Sequence, residues 1–329
     1  MKQHPALCTR RSAALLLLLG LFAINPQRAA AQSYPSRSVT IITPFAAGSV
    51  TDTTARQVAQ HLQDALGQPF VVENRAGAGG LLAAGAVARA KPDGYTLLLT
   101  TNSTHSAAPG LFKTIPYDPI ADFTPVARIG SFPSMIAVNP NVPIHSMQEL
   151  VAYAKANPGK LSYAHGNSTG HITGEAVKKR TGIDIVRVAY RSNPAAMTDL
   201  IAGHVQMMIP DFGTGLPQMK MQKIRPLAVI TKARSSTVPD IPTLHETVMP
   251  EFDLLAWAGV FAPANTPPEV AERLAGEIQK MLAKPEWKER LLNSGVEVFY
   301  TGPKEFDAYV KSELVKWTSL IKEVGIQPE

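Results

Sequence analysis

The chain has 329 residues, 45% of them apolar, and a formal charge of +6 from 32 Lys and Arg against 26 Asp and Glu. Four of those cations, Lys2, Arg10, Arg11 and Arg28, lie in the first 31 residues, which hold no acid, so the remaining 298 residues carry only +2. A body that close to neutral, with no basic block, offers no footprint for nucleic acid or an anionic membrane, and it lacks any thiol because the single cysteine is Cys8.

The first element is a leader. Lys2, Arg10 and Arg11 precede a 12-residue apolar run, Ala13 to Ile24, and Ala29-Ala30-Ala31 follows. A bilayer span needs roughly 20 apolar residues, so the order reads as a secretory signal peptide over 1–31, cleaved after Ala31. Cys8 precedes the apolar run, where a lipoprotein acceptor would not stand. The product expected is a periplasmic protein whose stability comes from its core and not from disulfides.

From residue 38 onward, short β-branched runs alternate with helical patterns, which predicts strand–helix–strand construction. Ser38–Thr43 is a strand, and after Pro44 to Gly48 comes a helix with Ala55, Val58, Ala59, Leu62, Ala65 and Leu66 on one face, stopped at Gly67. A strand at Phe70–Glu73, a helix at Leu81–Ala90, a turn at 91–94 and a strand at Tyr95–Thr100 complete one series. A second series opens at Met135–Val138. There Ser146 and Glu149 spell a capping box for a helix ending at Asn157-Pro158-Gly159. Strands at Leu161–Ala164, Ile185–Tyr190, His204–Ile209 and Leu227–Thr231 follow, with helices from His171 to Thr181 and from Ala195 to Ala202. Helical patterns return at 267–283, 286–293 and 304–324, with a strand at Val296–Tyr300.

Two loops stand out, Pro44 to Gly48 and Gly166 to Gly170, because each closes a strand and opens a helix. Unpaired amides and the positive end of the helix dipole meet at such a point and attract an anion without a charged side chain. In open α/β sheets the ligand crevice lies beyond those strand ends. A secreted hydrolase is the competing class, but no G-x-S-x-G elbow and no H-E-x-x-H set occurs. Gly77-Ala78-Gly79-Gly80 suggests a dinucleotide loop, yet position 82 is Leu and the spacing fails, leaving a turn that allows close helix–strand packing.

The ordered motifs are specific as a set. Tyr34-Pro35-Ser36-Arg37, the segment from Pro44 to Asp52, the segment from Val72 to Gly80 and Pro92-Asp93-Gly94-Tyr95-Thr96-Leu97 lead. Tyr117-Asp118-Pro119, Asp122 to Val126, Asn157 to Leu161, Val188-Ala189-Tyr190-Arg191, Ala202 to Val205 and Asp240 to Thr243 follow. Together they resemble the Bug-type extracytoplasmic receptors, the solute-binding proteins of tripartite tricarboxylate transport systems, over essentially all of the chain after the leader.

The resemblance implies an α/β fold of two lobes, a type II-like Venus flytrap with mostly parallel sheets flanked by helices. Lobe one is then 32–130 plus 256–329 and lobe two 131–255. It implies a monomeric receptor, not an enzyme, without metal or cofactor, that hands a small carboxylate to the membrane components of a transporter or presents its closed form to a two-component sensor. Carried over by position, the ligand residues are Phe45, Ala46, Ala47, Gly48 and Asp52, then Thr101, Asn102, Ser103 and His105, from lobe one. Lobe two contributes Gly166, Asn167, Ser168, Thr169 and His171, then Tyr190, Arg191 and Asp211. Ala46-Ala47 stands where the family often has proline, Gly48-Ser49 where it has two glycines, and Tyr190-Arg191-Ser192 where it has Tyr-Lys-Gly. His105, His165 and Arg191 add donors or rings, which favours a dicarboxylate or aromatic carboxylate as ligand.

Overall fold

The computed structural model describes Met1 and residues 34–329, so the leader expected over 1–31 lies outside the described residues apart from Met1. Residues 37–329 form one compact unit built on two sheets.

The first sheet begins with β1 (Val39–Thr43), followed by α1 (Val50–Leu66), β2 (Phe70–Asn74), α2 (Leu81–Ala88) and β3 (Thr96–Thr101). A π-helical turn, Ser103–Ala107, runs into a short α3 (Ala108–Leu111) before β4 (Phe123–Phe132). The second sheet takes β5 (Met135–Val138), α4 (Met147–Ala156), β6 (Ser162–His165), α5 (Ser168–Thr181), β7 (Val186–Ala189) and α6 (Asn193–Ala202). It continues through β8 (Met207–Met208), α7 (Phe212–Lys220), β9 (Arg225–Val229) and the single-turn α8 (Leu244–Thr247). The chain then returns to the first sheet as β10 (Ala256–Pro263), α9 (Pro268–Ala283), α10 (Pro285–Asn293), β11 (Glu297–Thr301) and α11 (Pro303–Glu323).

Strand order is β11-β4-β10-β3-β1-β2 in the first sheet and β7-β6-β8-β5-β9 in the second. One correction to the sequence reading concerns strand direction. Among the named strands, parallel pairs join β1 to β2 and β3 and β6 to β7 and β8, whereas β4, β5, β9, β10 and β11 pair antiparallel. Both sheets are therefore mixed. A helical crossover lets consecutive strands run parallel, whereas β5 and β10, each of which enters from the other sheet, run opposite to both of their neighbours.

Strands β4 and β10 carry no strand signal in the pattern. Pro125 interrupts β4 at a register shift, and β10 reads Ala-Trp-Ala-Gly-Val-Phe-Ala-Pro with every residue buried. Gly259 is needed there: a Cβ would fall 2.2 Å from Phe306 Cζ, so the strand gives up β propensity for the ring packed on it. The capping box at Ser146 is half made. Ser146 accepts from the Glu149 amide at 3.1 Å, but the Glu149 carboxylate takes the His145 amide and not that of the cap residue.

The last helix does more than cover the first sheet. Trp317 and Ile321, with Val324 just past the helix end, join a buried cluster with Ile136, Leu150, Ile172 and Leu227 of the second sheet's layers, so α11 straps the two layers together. No helix among the described residues is long and apolar enough to cross a membrane.

Candidate functional site

The end of β1 turns through Pro44 to Gly48 into α1, whose N-cap Ser49 accepts from the Asp52 amide at 3.2 Å. Asp52 folds back under this turn. Its carboxylate accepts from the Gly48 amide at 3.0 Å, from Asn74 at 2.9 Å and from Arg56 at 3.0 Å. Burial alone would raise its pKa, but the bonds from Arg56, the Gly48 amide and Asn74 outweigh that and hold the group ionised below the usual carboxylate range. Asn74 also donates to the Phe45 carbonyl at 2.9 Å, tying the turn to β2. The opening of α1 thus already contains an anion.

The opening of α5 is built differently. Asn167 caps it, accepting from the Gly170 amide at 2.9 Å, and no acid stands in the first turn. Gly166 passes so close to the start of α6 that a Cβ there would lie 2.1 Å from Ser192 C and 2.2 Å from Asn193 N. Its amide donates to Asn193 Oδ1 at 3.1 Å, and Asn193 in turn donates to Asp211 at 2.5 Å. Asp211 caps α7, accepting from the Thr214 amide at 2.8 Å; burial pushes its carboxyl up, against the pull of those hydrogen bonds.

The end of β3 meets this loop directly. Asn102 Nδ2 reaches Thr169 Oγ1 at 3.2 Å, and Ser168 donates to Ser103 Oγ at 2.8 Å, so the two sheets' strand-to-helix loops touch through neutral groups. Asn102 Oδ1 is buried without a partner among the described residues.

Two cavities flank this contact and share Phe45, Ser103, Gly166 and Asn167 in their walls. The inner one, walled also by Thr101, Asn102, Thr169, Asn193 and Asp211, has a volume of about 20 Å³, room for little more than a water molecule. The outer one is about 330 Å³, within the range of small-ligand sites. Ser168, His165, His171, Arg187, Tyr190, Arg191 and Glu329 line it, together with Gly77, Ala78, Gly79 and Phe112. His165 and His171 stack with ring centres 4.8 Å apart and planes at 13°. Burial pushes His165 down to about 3 and His171 to about 4, and the Arg187 guanidinium, 2.9 Å from His171 Nε2, pushes both the same way. The rings are therefore neutral near pH 7. Among the described residues no three His, Cys, Asp or Glu side chains converge as metal ligands.

Of the residues expected at the site, Phe45, Thr101, Asn102, Ser103, Gly166, Asn167, Ser168, Thr169, His171, Tyr190, Arg191 and Asp211 line one cavity or both. Ala46, Ala47, Gly48, Asp52 and His105 line neither. Asp52 acts behind the turn as described. His105 is fully buried, stacked on Phe261 at 4.0 Å and bonded to Thr104 at 2.8 Å, and burial pushes its imidazole down to about 3. Tyr190 turns its hydroxyl to Asp199 at 2.5 Å. Arg187, Glu329 and Asn193 carry no signal in the sequence alone, and the Gly77–Gly79 turn, read there only as a packing turn, also lines the outer cavity. Alternation along β7 places Arg187 on the face opposite Val188, a signal visible only once the strand is known to be an edge.

Two mixed α/β sheets whose strand-to-helix loops meet around a small-ligand cavity define the two-lobed periplasmic binding-protein class. Comparison with solved structures agrees. The periplasmic binding protein BugD superposes with a TM-score of 0.85 at 34% identity, over 90% of this chain and all of that one. Rpa4515 of R. palustris, solved with adipate, gives 0.88 at 33% identity over 90% and 100%. MatC of Rhodopseudomonas palustris, solved with bound malate, gives 0.82 at 31% identity over 88% and 100%. Residues 54–326 match the model of the tripartite tricarboxylate transporter family receptor. The chain belongs to that family, in its Bug-type branch.

Proposed function

We propose that this protein is exported to the periplasm, captures a small carboxylate, with a dicarboxylate or aromatic carboxylate preferred, and presents it to the membrane components of a tripartite tricarboxylate transporter. The observation that carries the reading is the 330 Å³ cavity lined by the α5 opening, Gly166 to Ser168, and by Ser103 from the other sheet. The α5 opening lacks an acid of its own and is free to favour a ligand's negative charge. Arg187 and Arg191 add positive charge to the same wall. The relatives solved with adipate and malate support an organic diacid. The lobes in this reading are 32–130 plus 256–329 and 131–255, with the strap of α11 across both, and binding is lobe closure favoured by the ligand's higher affinity for the closed state. Small-angle scattering should then show compaction on ligand addition. Waters in the inner cavity relay part of the contact, which lets one scaffold accept several acids.

A thermal-shift screen of mono-, di- and tricarboxylates, aromatic acids and amino acids tests the reading. A true ligand at 100 times its Kd should add about 2.7 kcal/mol of stability. No shift with any carboxylate, or turnover of an ester or amide substrate, would refute it.

A further inference from the structure

We infer that Arg187 reads the second carboxylate of a diacid, and that the Glu329 side chain occupies that place as a built-in competitor until such a ligand displaces it. The inference rests on the carboxylate-receptor reading above and deepens it by separating diacids from monoacids.

Arg187 lies on the edge strand β7, and its side chain remains one-third exposed. One end of the guanidinium is fixed, Nη1 lying 2.9 Å from His171 Nε2, a neutral ring that stacks on His165 and keeps the arginine oriented. The other end donates through Nη2 to the Glu329 carboxylate. Both residues line the cavity that also holds Ser103 and the Gly166–Ser168 turn. An acid held by that turn therefore shares its chamber with a guanidinium whose partner is itself a carboxylate.

Glu329 reaches the cavity from beside the segment that follows α3. Its amide donates to the Leu111 carbonyl at 2.9 Å and its carbonyl accepts from the Lys113 amide at 3.0 Å, so the backbone is pinned and the side chain alone reaches Arg187. That side chain is 59% exposed. An ion pair so placed shifts an equilibrium by no more than about fivefold, and rotation about the Glu329 side-chain bonds breaks it without disturbing the backbone. A diacid anchored by its first carboxylate presents the second at an effective concentration on the order of millimolar. It can also accept two parallel N–H bonds from Arg187. The ligand's second carboxylate then takes the place on Arg187 that the Glu329 side chain holds without it. A monoacid leaves the Arg187–Glu329 pair intact and gains nothing from it.

Isothermal titration of the full chain with linear diacids from succinate to suberate, each beside the monoacid of equal chain length, distinguishes the cases in wild type, Glu329→Gln and Arg187→Met. The diacid-over-monoacid affinity ratio should rise about threefold to fivefold in Glu329→Gln and fall at least about tenfold in Arg187→Met. Arg187→Lys should recover part of that loss, since a point charge remains. A ratio within twofold of wild type in either Glu329→Gln or Arg187→Met overturns the inference while leaving the receptor reading standing. Failure of wild type to bind any acid in the series overturns both.

Discussion

The openings of α1 and α5 look alike in sequence, each a run of small residues between strand and helix, yet they are chemically opposite. At α1, Asp52 fills the positive end of its own helix and consumes the Gly48 amide. At α5 a neutral Asn167 caps the helix and the loop faces a cavity. A helix opening that carries its own carboxylate repels a second one, so in the proposed function the first turn is scaffold and the second the grip. Small residues alone do not make an anion site; what matters is whether an acid already sits within one turn.

Acid should expose the contrast most strongly. His105, His165 and His171 are neutral in the fold with pKa values depressed from 6.5 to about 3, 3 and 4. The unfolded chain binds protons first as pH falls, so their contribution to stability is complete above 6.5 and drains away from there down to about 3. Asp52, depressed below 3.8, starts to lose its contribution only as pH nears that value. Urea unfolding at pH 7, 6, 5 and 4 should show stability falling across the whole range. A flat profile from pH 7 to 4 would mean the histidine pair beside α5 is not held neutral.

Gly166→Ala is the next largest effect. The added Cβ meets backbone on α6 that cannot rotate away, so stability drops by about 1–3 kcal/mol and ligand-induced thermal shift disappears. Asp52→Ala should cost about 1.5–3 kcal/mol through lost charged hydrogen bonds. Calorimetric affinity should change little, because the residue supports the turn and does not line the cavity. Loss of binding with unchanged melting would reverse the roles assigned to the two openings. Asn167→Ala should be smallest in stability, about 1 kcal/mol for a missing cap, but unlike Asp52→Ala it should weaken affinity measurably.

Much of this was legible beforehand. The β1 and β2 strands, helices α1, α9 and α10 and the loop before α5 follow from periodicity, N-caps and glycine stops, because each uses local rules. Strands β4 and β10 did not, since Pro125 and Gly259 are tolerated only through partners distant in sequence. The site divides the same way. Gly166 to Thr169, read from a local loop signature, line the cavities, whereas His105, carried over from the resemblance, lines neither and is buried against Phe261. The Arg187–Glu329 pair joins residues far apart in the chain, which no window of sequence reveals.

The most direct test is a crystal structure of the complex with whichever carboxylate gives the largest thermal shift. The account predicts one carboxylate group against Gly166 to Ser168 and Ser103, inside the 330 Å³ cavity. An acid seated instead in the separate groove lined by Leu216, Pro217, Lys220 and Leu292, with the α5 opening facing only solvent, would contradict it.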